Sequence, residues 1–141
     1  MNGTSKIPSI EELRTAAASA GRETGCRLLV LFGSATRPGA QTPQDVDLAV
    51  LAEGRVDTVE LTNRLIRALG FQAVDIADLN HADPLLMMLV ARDGVPLYES
   101  SPGEFDRFVS LAVRRYADTR KFRAMEAQEV RDFIAAGQPP P

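Results

Sequence analysis

With one cysteine, Cys26, and one histidine, His81, in 141 residues, the chain cannot form an internal disulfide framework or a zinc site built on cysteine or on paired histidines. No apolar run approaches the roughly 18 residues of a membrane span, and the polar stretch from Met1 to Pro8 lacks the apolar centre of a signal peptide. Excess positive charge is missing too. Sixteen Lys and Arg against nineteen Asp and Glu give a formal charge of −3, which removes the overall attraction that drives broad nucleic-acid binding. There is no internal repeat and no low-complexity segment beyond the terminal prolines. What remains is the ordinary mix of a soluble, foldable chain, 45% hydrophobic and 25% charged, expected in the cytoplasm.

Local signals order the elements. Ser9 to Glu12 has capping-box spacing, and Ile10, Leu13, Ala17 and Ala20 follow at helical intervals, with Gly21 expected to stop the helix. Cys26 to Phe32 is a nearly continuous apolar run, read as a strand covered on both faces and broken by Gly33 and Ser34. Residues 35 to 44 carry two prolines and a glycine and read as a loop. Asp45 to Leu51 is a second strand that opens with two acids. Asp57 to Glu60 caps a helix that Gly70 ends, and Phe71 to Asp78 is a third strand. Asp83 and Pro84 open an apolar helix to about Arg92, Val95 to Glu99 reads as an edge strand holding Pro96, and a last helix begins at Ser101 to Glu104. Its apolar spacing slips at Asp118 and Thr119, which predicts a break. The length favours a single domain over 1–141, with its core at about 9–118, a helical extension at about 119–135 and a disordered tail at 136–141.

Chemistry concentrates where Gly33-Ser34 ends one strand and Asp45-Val-Asp47 opens the next. Alternation turns Asp45 and Asp47 to one face, their alpha carbons about 6.6 Å apart. Two carboxylates held on one face repel, a situation that divalent cations relieve, and two such cations clamp a phosphoryl group. Gly33 lets backbone approach a phosphate, Ser34 adds a hydroxyl, and a helix starting just after them would offer free amides. Acids for metal beside amides for phosphate point to nucleotide chemistry.

These residues, followed by Leu48-Ala49-Val50, resemble the signature of the nucleotidyltransferase superfamily in its minimal, single-domain branch. The resemblance implies an α+β, polymerase beta-like fold: a small mixed sheet flanked by helices, with a C-terminal helical extension. It also implies a third acid on a later strand, for which Asp75 in Ala73-Val-Asp75-Ile-Ala-Asp78 is the candidate; Asp78, at odd spacing, should face the other side. By the same resemblance Asp45, Asp47 and Asp75 would hold magnesium as a two-ion site, with Asp75 also helping to deprotonate the acceptor. Gly33, Ser34 and Arg37 would hold the triphosphate of ATP, whereas Gln44 stands where relatives often carry serine.

The chain continues Asn80-His-Ala-Asp-Pro-Leu-Leu86 and then Gly94-Val-Pro-Leu-Tyr98, and over about residues 26 to 118 it resembles antitoxins of the MntA type, which pair with HEPN-domain ribonuclease toxins. That likeness implies transfer of AMP from ATP to a tyrosine of a separate toxin chain in a hetero-oligomer. No arginine precedes His81 at the spacing of the HEPN nuclease motif, so the toxin must be another chain. A non-catalytic antitoxin that blocks the toxin by occlusion, and a transferase acting on aminoglycoside-like small molecules, are the alternatives. His81 is expected on the surface, Cys26 buried and inert, and Tyr98 and Tyr116 in the core. Arg114, Arg115, Arg120, Lys121 and Arg123 read most simply as a solvated helix face, the alternative being a surface that meets an acidic partner or RNA.

Overall fold

Four short apolar segments pair into one mixed sheet in the computed structural model of the chain, which describes residues 7–36 and 45–137. Strands β1 (Leu28–Phe32), β2 (Val46–Leu51), β3 (Val74–Asp78) and β4 (Val95–Glu99) lie in the order β3-β2-β1-β4. β1 runs antiparallel to both β2 and β4, while β2 and β3 are parallel. Because β1 is central and covered on both sides, it carries an unbroken apolar run rather than an alternating one. β4 is an edge strand, as Pro96 requires, and its pairing with β1 shifts register next to that proline.

Helices fill both faces. On one side, α1 (Ile10–Thr24) and α2 (Thr58–Leu69) bury Leu13, Ala17, Leu61 and Leu65 against Leu29, Leu31, Leu48 and Val50. On the other, α3 (Pro84–Asp93) and α4 (Glu104–Asp118) bury Met87, Val90, Phe108 and Ala112 against Leu28, Val30 and Ala49. Each fully buried leucine contributes about 2 kcal/mol of transfer free energy, so the sheet is held by two independent apolar layers.

The caps follow the sequence with one correction. The Glu12 amide donates to Ser9 Oγ at 3.1 Å and the Ser9 amide donates to Glu12 Oε1 at 2.8 Å, a complete capping box. α1 does not stop at Gly21 but continues to Gly25, whose φ of +73° makes the left-handed cap. Gly21 serves a different need: a Cβ there would collide with the Tyr98 ring, so the glycine lets β4 and α1 pack closely. Asp57 caps α2 and Gly70 ends it, and Asp83 with Pro84 starts α3 as expected.

The break near Thr119 is present. α4 ends at Asp118, and α5 (Arg120–Ala135) follows as a helix without a single buried residue. Tyr116 is not a core residue: it sits half-buried near the C-terminal end of α4 beneath the Arg123 guanidinium, 4.0 Å from its ring centre, which shields one face of the ring from solvent. The final residues 138–141 of the expected tail lie outside the described residues. Among the described residues no helix is long and apolar enough to cross a membrane.

Candidate active site

Asp47 is the hub of the site. It is the second residue of β2 and pairs in register with Asp75 on the parallel neighbour β3 and with Phe32 on β1. Residues paired in register share a face about 4.8 Å apart, so Asp47 and Asp75 stand side by side. Asp45 lies exposed just before the strand. The half-buried Asp47 carboxyl has its pKa pushed above the ordinary aspartate value, first by burial, then by the negative charge of Asp75, then by that of Asp45. One carboxyl thus feels both of the others, as expected of three acids sharing one rim.

A second segment closes on the same carboxyl. β1 ends at Phe32 and the chain turns through a single 3-10 turn over Gly33–Thr36, where Thr36 Oγ1 donates to the Gly33 carbonyl at 2.7 Å. Gly33 has a φ of +83°, and a Cβ on it would stand 2.6 Å from Asp47 Oδ2. Only glycine meets both demands, the left-handed backbone and the approach to the carboxylate. Ser34 is exposed beside it. Among the described residues the segment after Ser34 is this 3-10 turn alone, and Arg37, with the rest of the expected loop at 37–44 including Gln44, lies outside the described residues.

Asp78 faces elsewhere, as alternation predicts. It pairs with Val50 rather than Asp47, its carboxylate accepts from the Asn80 amide at 2.9 Å, and it lies 2.8 Å from His81 Nδ1. His81 is on the surface, and Cys26 is buried with its thiol pKa raised mainly by that burial. Two polar anchors were not foreseen. The Asn80 side chain makes a two-way pair with the Ala52 backbone, accepting at 3.0 Å and donating at 2.8 Å. Arg27 donates to buried Glu104 through Nη2 at 2.8 Å and Nε at 3.2 Å. Each links positions far apart in the chain, so nothing in local spacing announces it.

The donor set suits magnesium by its chemistry, since all three side chains offer hard carboxylate oxygens and their mutual repulsion is what a cation relieves. Among the described residues no three such side chains close into a cage around one point. Magnesium seldom uses a protein-only cage; it takes one or two carboxylates and completes its shell with phosphate oxygens and water. The rim therefore fits a cation that arrives with a nucleotide.

A mixed sheet between helical layers, with acids on adjacent parallel strands beside a glycine turn, defines a nucleotidyl-transfer fold. The chain belongs to the family described as Polymerase beta, Nucleotidyltransferase, whose profile matches residues 18–103. It is similar to the protein adenylyltransferase MntA of Aphanizomenon flos-aquae (strain 2012/KM1/D3), 28% identical over 142 residues that cover 92% of this chain and 95% of the relative. Among solved structures it resembles a toxin-antitoxin with AMP-PNP, at a TM-score of 0.69 and 27% identity over 83% of this chain and 97% of that one. The fold is shared as well with the complex of a tri-AMPylated Shewanella oneidensis HEPN toxin and an MNT antitoxin, at a TM-score of 0.68 and 24% identity over 86% of this chain and 98% of that one.

Proposed function

We propose that the chain is the antitoxin of a toxin-antitoxin pair and acts as a protein adenylyltransferase, moving AMP from ATP to a tyrosine hydroxyl of a separate HEPN-domain toxin. The observation that carries the chemistry is the in-register pairing of Asp47 with Asp75, with Gly33 backbone against the Asp47 carboxylate. The likeness to an MntA adenylyltransferase along nearly its whole length supports the kind of acceptor. A chain that uses ATP and keeps a free, buried Cys26 is at home in the cytoplasm.

In this reading Asp45, Asp47 and Asp75 hold magnesium, and Gly33, Ser34 and Arg37 cradle the triphosphate. When bound, the metal neutralises phosphate charge and lowers the pKa of the acceptor hydroxyl. The tyrosine oxygen attacks the α-phosphorus, the bond to the β-phosphate oxygen breaks, and pyrophosphate leaves with the electron pair. Asp75 accepts the phenolic proton. A carboxylate is a weak base toward a phenol, so Asp75 acts as much by placement as by basicity. The Gly33 turn, which approaches the Asp47 carboxylate closely, would place the phosphates beside it.

The test is to purify the protein with the toxin encoded beside it and incubate the pair with ATP and magnesium. Mass spectrometry should find AMP on a toxin tyrosine, with toxin activity falling in step. Neutralisation without any modified residue would establish the occlusion reading instead.

A further inference from the structure

At the end of the sheet away from the acids, the same face carries a cleft of about 350 Å³ between the start of β1, the end of β2 and helix α4. Its polar rim is Arg27, Arg107, Arg114 and Arg115, and its floor is apolar, with Leu79, Met87 and Phe108. Leu51, which also lines it, is four residues along β2 from Asp47, or about 13 Å. Four guanidinium groups gathered on a chain of net charge −3 form a local field opposite in sign to the whole.

Two of the four arginines are held and two are uncommitted. Buried Glu104 fixes Arg27 by two hydrogen bonds and also draws in Arg107 Nη2 at 3.4 Å, so one carboxylate orients both. Arg114 and Arg115 are exposed, and among the described residues neither meets a carboxylate; Arg115 only lies 3.8 Å from Met87 Sδ. Arg107 and Arg114 are two helical turns apart on one side of α4 and share a neighbouring groove with Asp106 and Ser110. Guanidinium groups from the residue before β1 and from α4 line one cleft, and those of Arg114 and Arg115, which no carboxylate among the described residues meets, are left to donate to the several oxygens of a phosphate.

We propose that this cleft is a second anion site, separate from the acidic rim, that binds a phosphate group carried by a free nucleotide or by a nucleic-acid backbone. It needs no metal, because its own charges supply what magnesium supplies at the other end. Beside the guanidiniums, half-buried Leu51 and Leu111 offer apolar surface to a base or sugar next to the phosphate.

The experiment titrates the full chain in chelator, which disables the acidic rim, with three probes: AMP, pyrophosphate and a short mixed-sequence oligoribonucleotide. At least one phosphate probe should bind, and its affinity should fall at least about tenfold in an Arg114→Gln, Arg115→Gln double variant. Both positions are exposed, so circular dichroism should show an intact fold. Tighter binding of AMP or pyrophosphate assigns a free nucleotide, and tighter binding of the oligonucleotide assigns a nucleic-acid backbone. Absence of binding by all three probes, affinity unchanged in the double variant, or equal affinity for a glutamate-rich peptide would overturn the proposal.

Discussion

Two partly buried carboxyl groups, Asp47 and Glu104, sit at opposite ends of the β1–β2 pair and are perturbed in opposite directions. Asp47 is crowded by Asp75 and Asp45 and has its pKa raised, burial being the first cause. Glu104 has its pKa lowered, first by its hydrogen bond from Arg27. It also accepts from the hydroxyls of Ser100 at 3.4 Å and Ser101 at 3.2 Å. At one end the backbone register forces like charges together and leaves their oxygens for something that is not protein. At the other, opposite charges close on each other and tie α4 to β1. A carboxylate that a fold keeps at a cost in stability is a stronger pointer to chemistry than one that the fold satisfies.

The largest effect expected from breaking this contrast is on transfer. Asp47→Asn should lower the rate of AMP transfer at least about a thousandfold, because in the proposed mechanism it removes a ligand of the cation that would stabilise the transition-state charge. The same substitution should raise Tm by about 2 °C, because it relieves like-charge repulsion. A drop in Tm, seen by differential scanning calorimetry, would count against the crowding.

Glu104→Gln should do the reverse. It leaves half-buried Arg27 without its counter-charge and should cost about 2 kcal/mol, seen as a lower urea midpoint, with AMP transfer little changed.

The two groups also separate in pH. Glu104, with its folded pKa below the unfolded value, contributes stability at pH above the unfolded value, and that contribution disappears as pH falls through the folded value. Asp47, with its folded pKa above the unfolded value, opposes folding above that raised value and ceases to do so as pH falls to the unfolded value. On acidification the wild type should therefore lose more stability than Glu104→Gln does, and Asp47→Asn should lose more than the wild type. Urea titrations between pH 7 and about pH 3 would measure both differences.

The smallest effect concerns α5, whose Phe122, Met125, Val130 and Ile134 are all exposed, Ile134 at 71%. Truncation after Thr119 removes no buried residue and should leave Tm within about 3 °C while weakening the grip on the toxin. Loss of the far-ultraviolet helical signal beyond that of α5 itself would place the segment in the core.

Much of the rim was readable before the structure because it depends on short-range rules. Alternation separates Asp75 from Asp78, and the register of β2 and β3 agrees, setting Asp75 beside Asp47 and Asp78 beside Val50, while Asp45 precedes the strand and lies outside that register. Capping residues likewise announced where α1, α2 and α3 begin. What escaped depends on partners distant in sequence. Gly21 has the local appearance of a helix stop, and only Tyr98 across the fold shows why it is glycine. Arg27 and Glu104, 77 positions apart, look like two ordinary charges until the sheet and α4 bring them together. Arg114 and Arg115 of α4 are exposed, as a solvated face requires, but helical spacing says only which residues share a side, not that Arg27 lines the same cleft.

The most direct test of the acidic rim compares Asp75→Asn with Asp78→Asn, two changes of the same chemistry that differ in phase along one strand. Both proteins, purified with the toxin, are incubated with ATP and magnesium, and toxin modification is followed by mass spectrometry over time. Asp75→Asn should give no detectable AMP transfer while still binding nucleotide through Asp45 and Asp47. Asp78→Asn should transfer at close to the wild-type rate, since its carboxylate only caps the turn at Asn80 and His81. An active Asp75→Asn beside an inactive Asp78→Asn would contradict the assignment of the catalytic face.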